Sequence, residues 1–193
     1  MKNLIIGISI AAVTFASCNN NASDQKKEMD VKKDSSANEM QSNTTQTQNE
    51  TPIHGILTRY LQVKNALAED NGNDAASGGK AITEEMAKLN KTSLSIAQKK
   101  AYDAVADDIK ENAEHINENS GKLDHQREHF EMLSQDMYDL VKSFDGTQKL
   151  YKDFCPMAND NKGAFWISET KEIKNPYLGK KMPTCGDVKE EIN

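Results

Sequence analysis

The sequence predicts an all-α protein: an antiparallel four-helix bundle followed by a small irregular or hairpin-forming C-terminal tail that bears cysteine and methionine. Three observations carry that expectation. Four stretches between residues 52 and 145 repeat their apolar residues at helical spacing, with short links between them. Three of the four prolines and six of the eleven aromatic residues lie from Phe144 onward, so the composition changes there. Between Asn19 and Thr51, by contrast, Val31 is the one aliphatic residue larger than alanine.

The first seventeen residues read as a secretory signal. Lys2 supplies the positive end, Leu4 to Phe15 an apolar run, and Ala16-Ser17 the small residues of a cleavage site. Cys18 follows directly, the pattern of a bacterial lipoprotein whose cysteine is lipidated and becomes the first residue of the mature chain. Residues 18–51 are then a disordered polar tether, too poor in apolar side chains to offset the entropy of ordering. As a flexible coil it reaches about 30 Å, enough to hold a domain clear of the headgroups. Residues 52–193 form the bundle domain with its tail.

The first helix is expected to begin with Thr51 as N-cap and Pro52 in the first turn. Its stripe is Ile53, Ile56, Leu57, Tyr60, Leu61, Val63 and Leu67, and Asn71-Gly72 stops it. A weaker second helix carries Ala75, Gly79, Ile82, Met86 and Leu89; its Gly78-Gly79 pair either costs stability or lets a neighbouring helix come close. Ser95 with Gln98 reads as a capping box for a third helix through Tyr102, Val105, Ile109, Ala113 and Ile116. The fourth is the cleanest, with Leu123, Phe130, Leu133, Met137, Leu140 and Phe144. In the tail, Leu150 to Phe154 and Ala164 to Ser168 are candidate strands of one hairpin. Two strands alone are marginal in water, so packing, a disulfide or a metal must hold them down.

With 193 residues and 36% hydrophobic content the chain has room for one ordinary domain beside its polar leader, which excludes a multidomain enzyme. The net charge is −6 with no basic cluster, which argues against nucleic acid or an anionic membrane surface as partner. No segment supplies an activated nucleophile with a base and an orienting group, so no catalysis is expected.

Two sets of residues could bind an ion. Cys155-Pro156-Met157 and Met182-Pro183-Thr184-Cys185 are short motifs of mirrored composition. In an extended stretch Cys155 and Met157 lean to one side, and Pro183 sits at the second position of a turn that brings Met182 and Cys185 together. Two thiols with two thioethers are the soft donors that select Cu(I). With Cys18 lipidated, however, Cys155 and Cys185 are the two thiols left, and an oxidising compartment normally joins such a pair. Closing a loop of about 30 residues would stabilise the tail by roughly 3 to 4 kcal/mol. Both readings stand on residue types.

The second set is histidine. The turn between the third and fourth helices centres near Ser120, so His115 and His125 lie at one level, and His129 follows one turn deeper on the same face. His125 and His129 both border the apolar stripe headed by Phe130, so three imidazoles could converge at one end of the bundle; the bland alternative is that they are simply solvated. His125 to His129 also matches H-x-x-E-H, the inverted zinc-protease motif, but a small bundle offers neither the fold nor the distant third ligand of those enzymes. Lys80 after Gly78-Gly79 is no phosphate loop, because Asp74 stands where the first glycine is required.

Between Ile53 and Gly186 the chain resembles a family of small exported domains of unknown function that also occur appended to periplasmic adaptor subunits of heavy-metal efflux pumps. The resemblance rests on His125-Gln-Arg-Glu-His-Phe130 with Leu133-Ser134, on Cys155-Pro-Met157, on Gly163-Ala164 and Trp166 with Ile167-Ser168-Glu169, and on Glu172-Ile173-Lys174-Asn175-Pro176-Tyr177 leading to Lys181-Met-Pro-Thr-Cys-Gly186. It implies a helical bundle with a Cys/Met-bearing tail and a role in handling copper or another heavy metal. Many members carry histidine directly before Cys-Pro-Met; here that residue is Phe154. The expectation is therefore a lipid-anchored periplasmic or envelope protein binding Cu(I) through Cys155, Met157, Met182 and Cys185, with His125, His129 and His115 as nearby or alternative ligands and an efflux complex as partner. The alternative is a structural or interaction module stapled by a Cys155–Cys185 disulfide.

Overall fold

The computed structural model describes residues 51–192. The expected signal peptide, the lipidation residue Cys18 and all but the end of the polar tether lie outside the described residues. Four helices follow one another, α1 (His54–Ala68), α2 (Gly72–Lys88), α3 (Ile96–Glu118) and α4 (Leu123–Lys142), each packed on the next. Among the described residues no helix is long and apolar enough to cross a membrane.

Sequence spacing accounts for most of the bundle. Ile56, Leu57, Tyr60, Leu61, Val63 and Leu67 of α1 are buried, as are Phe130, Leu133, Met137 and Leu140 of α4. The capping box is present: the Ser95 hydroxyl accepts from Gln98 N while the Gln98 side chain accepts from Ser95 N. Thr51 does not cap α1. Its carbonyl accepts from His54 N at 2.9 Å, and Ile53, the residue before the helix, makes no side-chain cap bond. The two glycines of α2 serve close approach on both sides. A Cβ on Gly78 would lie 2.7 Å from Val63 Cγ2 of α1, and one on Gly79 would lie 2.5 Å from the Ala113 carbonyl oxygen of α3. The helix propensity given up there lets three backbones pack tightly.

The expected all-α architecture is not what the chain adopts. After α4 come β1 (Leu150–Cys155), β2 (Ala164–Ser168) and β3 (Asp187–Ile192), which form an antiparallel sheet in the order β2-β1-β3. The protein is thus mixed, mainly helical with a small three-stranded sheet. The β1–β2 hairpin lies where the sequence placed it, with Asp153 opposite Trp166 and Cys155 opposite Ala164. The third strand escaped notice because Asp187-Val-Lys-Glu-Glu-Ile192 is mostly charged and exposed, without an apolar alternation. Its pairing is a tertiary gain: a free edge of β1 is covered by a segment with little β preference of its own.

A four-residue element, α5 (Ala158–Asn161), joins β1 to β2. It is a left-handed turn rather than a true helix, since Asn159, Asp160 and Asn161 have φ of 49°, 54° and 66°. Asn and Asp are the side chains that tolerate this region best. Cys155-Pro156-Met157 is accordingly a strand end running into a turn, not the extended triplet expected.

The sheet docks beside α4. On one face Lys152 sits 3.7 Å from the Tyr138 ring centre and 4.0 Å from that of Phe165. Tyr138 and Lys142 of α4 both bond Glu190 of β3, at 2.6 and 2.8 Å. On the other face Trp166 meets Tyr177 of the segment between β2 and β3, with ring centres 5.9 Å apart. Tyr177 in turn contacts Phe130 of α4.

Candidate metal centre

The α3–α4 hairpin turns through Gly121, which needs its φ of 83°, and this turn sets the two helix ends side by side. His115 in the last turn of α3 then faces His125 and His129 of α4. One ligand atom from each of the three lies within 4.8 Å of the others. His115 and His129 are stacked with ring centres 4.2 Å apart, and His125 meets both edge-on at 6.2 and 4.7 Å. Among the described residues this is the one group of three or more histidine, cysteine or acidic side chains placed to share an ion.

Two of the rings are oriented from behind. His129 Nδ1 is 2.9 Å from Asn112 Oδ1, and His125 Nδ1 is 3.2 Å from Glu128 Oε2. Such outer partners fix the tautomer, so that Nδ1 carries the proton and Nε2 keeps a free lone pair. Burial, reinforced by His115 and His125 and opposed by Glu128 and Glu111, lowers the His129 pKa, which favours the neutral ligand form. In a tetrahedral site with bonds near 2.0–2.1 Å the donor nitrogens stand about 3.4 Å apart, so the cluster closes on an ion only if the stacked His115 and His129 rings turn toward it. The donor set fits a borderline divalent ion.

The tail sulfurs form a different place. Phe154 pairs with Asp187, and one step beyond that pair the chain leaves β3 through Gly186 and Cys185. Cys155 is fully buried and Cys185 half-buried; both are free thiols, and the β1–β3 ladder, which ends at Phe154 and Asp187, sets them on neighbouring stretches of chain. The neighbouring Cys155 thiol, more than burial, raises the Cys185 pKa, while the Met157 backbone N–H lowers it. The expected turn is present, since Cys185 N donates to the Met182 carbonyl at 3.2 Å. Met157 and Met182 line a groove of about 460 Å³ together with Arg127, Glu128, Glu131, Tyr177 and Leu178. Neither cysteine lines it, so both thioethers border this groove and the thiols lie outside its lining. No thiol joins the histidine group. Glu128 is the nearest link, bordering the groove and holding His125.

Several residues that matter here were missed from sequence. Asn112 is buried in α3 and holds His129, and its signal was a polar residue one position before Ala113 of the stripe. Lys64 is 1% exposed and donates to Glu169 at 2.7 Å, and Asp153 is wholly buried with neither carboxylate oxygen hydrogen-bonded. Burial pushes the Asp153 carboxyl up to about 7, although Lys64 pulls the other way. Each stands between one apolar and one polar neighbour in the sequence, Val63 and Asn65 for Lys64 and Phe154 and Lys152 for Asp153, so neither signals its burial.

Residues 56–149 match the profile of a family described as "Protein of unknown function (DUF3347)". The match spans α1 to α4 and ends one residue before β1. The three histidines therefore lie inside the DUF3347 region, and the thiols and thioethers lie beyond it. No curated protein and no solved structure matches the chain.

Proposed function

We propose that the protein is an envelope metal-binding protein that holds copper, or another soft heavy metal, without transforming it. The observation that carries this reading is the convergence of His115, His125 and His129 from two helices, two of them oriented by Asn112 and Glu128. Random surface histidines seldom acquire outer partners that hold their rings in place beside one another. Cys155, Cys185, Met157 and Met182 add a soft set suited to Cu(I). The resemblance to domains appended to heavy-metal efflux adaptors supports metal homeostasis or efflux as the setting, with an envelope efflux complex as partner.

The test is equilibrium binding of Cu²⁺ and Zn²⁺ against a competing chelator. The wild-type protein should hold one divalent ion whether its thiols are reduced or blocked, and His129→Ala and His115→Ala should each weaken it by roughly 100-fold with an unchanged melting curve. Absence of stoichiometric binding to the wild-type protein would refute the proposal.

The second reading, a non-metal interaction module stapled by a disulfide, is favoured by the β1–β3 pairing, which ends at Phe154 and Asp187 and sets Cys155 and Cys185 on neighbouring stretches of chain. The proposed location rests on the leader and Cys18, and intact mass tests it: protein extracted from membranes should begin at a lipidated Cys18. A soluble product with an unmodified Cys18 would rule the anchor out.

A further inference from the structure

The segment that brings Cys185 to Cys155 is positioned without help from either sulfur. Asn175, wholly buried, anchors it: its amide nitrogen donates to the Cys185 carbonyl at 2.7 Å, and its backbone N–H donates to the Pro183 carbonyl at 2.9 Å. The Asn175 side-chain oxygen accepts from the N–H groups of Tyr177 and Leu178, which sets the start of the turn. Gly186, at φ 141°, lies so close that an added Cβ would stand 3.0 Å from both the Phe154 carbonyl oxygen and Trp166 Cη2. The β1–β3 ladder closes the far side of the segment at Phe154 and Asp187. The fold itself thus holds the two cysteines on adjacent stretches of chain. The groove is lined by Met157 and Met182, which stand two residues from Cys155 and three from Cys185 in the sequence.

We propose that Cys155 and Cys185 form a redox-gated Cu(I) site: the dithiol binds one Cu(I) with Met157 and Met182 as supporting thioethers, and the Cys155–Cys185 disulfide does not bind it. This rests on the metal-handling reading above and assigns the soft ion to a site separate from the histidines. It makes the two readings of these cysteines, ligand and staple, two oxidation states of one place. Oxidation needs a disulfide donor, small or protein-borne. The half-buried Cys185 thiolate attacks one donor sulfur, breaking the donor S–S bond and releasing one donor thiolate. The buried Cys155 thiolate then attacks Cys185 Sγ in that mixed disulfide and expels the second donor thiolate. Two electrons pass to the donor, and the two protons of the cysteines end on its thiols or in solvent. Thiolate is lost as a ligand, and soft thioethers alone bind Cu(I) far more weakly.

The experiment uses the domain in three forms: reduced under anaerobic conditions, oxidised with glutathione disulfide, and re-reduced. Cu(I) affinity is read by competition with a chromophoric chelator, and thiol content is read by mass after alkylation. The reduced form should bind one Cu(I), the oxidised form should bind at least about 100-fold more weakly, and re-reduction should restore binding. Cys185→Ser should bind weakly in every condition and ignore the oxidant. Met157→Leu with Met182→Leu, which keeps both volume and thiols, should weaken Cu(I) by roughly 10-fold and leave disulfide formation untouched. Equal Cu(I) affinity in the oxidised and reduced forms, or failure of glutathione disulfide to join the thiols, would overturn the proposal. Divalent binding by the histidines is read separately on thiol-blocked protein, so losing the gate and losing the metal-handling function give different results.

Discussion

Leu133→Asp should leave the protein without a cooperative thermal transition, while the neighbouring Met132→Asp should melt within a degree or two of wild type. Leu133 is fully buried at the centre of the α4 stripe, among Phe130, Met137 and Leu140. The substitution forfeits roughly 2–5 kcal/mol of apolar packing and adds the several kcal/mol of a carboxylate with no partner. A domain of this size has about 5–15 kcal/mol to lose, so the sum exhausts it. Met132 is 47% exposed, and surface changes away from special contacts cost within about ±0.5 kcal/mol. Circular dichroism on the pair checks the register of α4; unchanged melting of Leu133→Asp would show that this helix does not face inward as described.

Arg127→Met should cost about 2–4 kcal/mol and expose the segment near Pro176 to protease. The Arg127 side chain is 15% exposed and joins three parts of the chain. Its Nε donates to the Pro176 carbonyl at 2.9 Å, and its Nη2 donates to the Leu67 carbonyl at 3.2 Å and to Asp70 Oδ1 at 2.5 Å. Asp70, itself at φ 54° just after α1, accepts from Lys180 N through its other oxygen. Burial disfavours the Asp70 charge, yet Arg127 and Lys180 outweigh it and hold that carboxyl below its usual range. Methionine preserves the apolar stem but abandons two carbonyls and a carboxylate. Arg127→Lys should recover only part of the loss, because one ammonium cannot reproduce the fork. Urea denaturation of the three proteins with limited proteolysis decides it; a midpoint for Arg127→Met equal to wild type would show that the clip carries no stability.

Elements whose information is local were legible in the sequence. The Ser95 and Gln98 box is four residues of chemistry, the α4 stripe is a period, and the meeting of His115 with His125 follows from counting residues either side of a turn. The β1–β2 hairpin was legible for the same reason. What escaped depends on distant partners. Asp187 to Ile192 becomes a strand only because β1 offers an open edge, Arg127 looks like any surface cation until Leu67 and Pro176 are placed beside it, and Lys64 and Asp153 read as solvated charges until burial is known. The separation of the sulfur set from the histidines was hidden too. Spacing can align residues along one hairpin, but it does not tell which end of a bundle a tail covers.

The order of strands in the sheet bears on the sequence of folding events. Each helix of the bundle packs on its neighbour in the chain, so loop closure is short and the bundle can assemble early. The central strand β1 can pair with β2 soon afterwards, but its other edge waits for Asp187–Ile192, more than thirty residues further on. Cys185 reaches Cys155 only in that last step. Until the final ladder forms, the unfolded chain therefore presents Cys155 and Cys185 as separated thiols, exposed to mispairing with other proteins. The thiol pair is a late product of folding, and its oxidation state reports on a completed domain rather than on a nascent one.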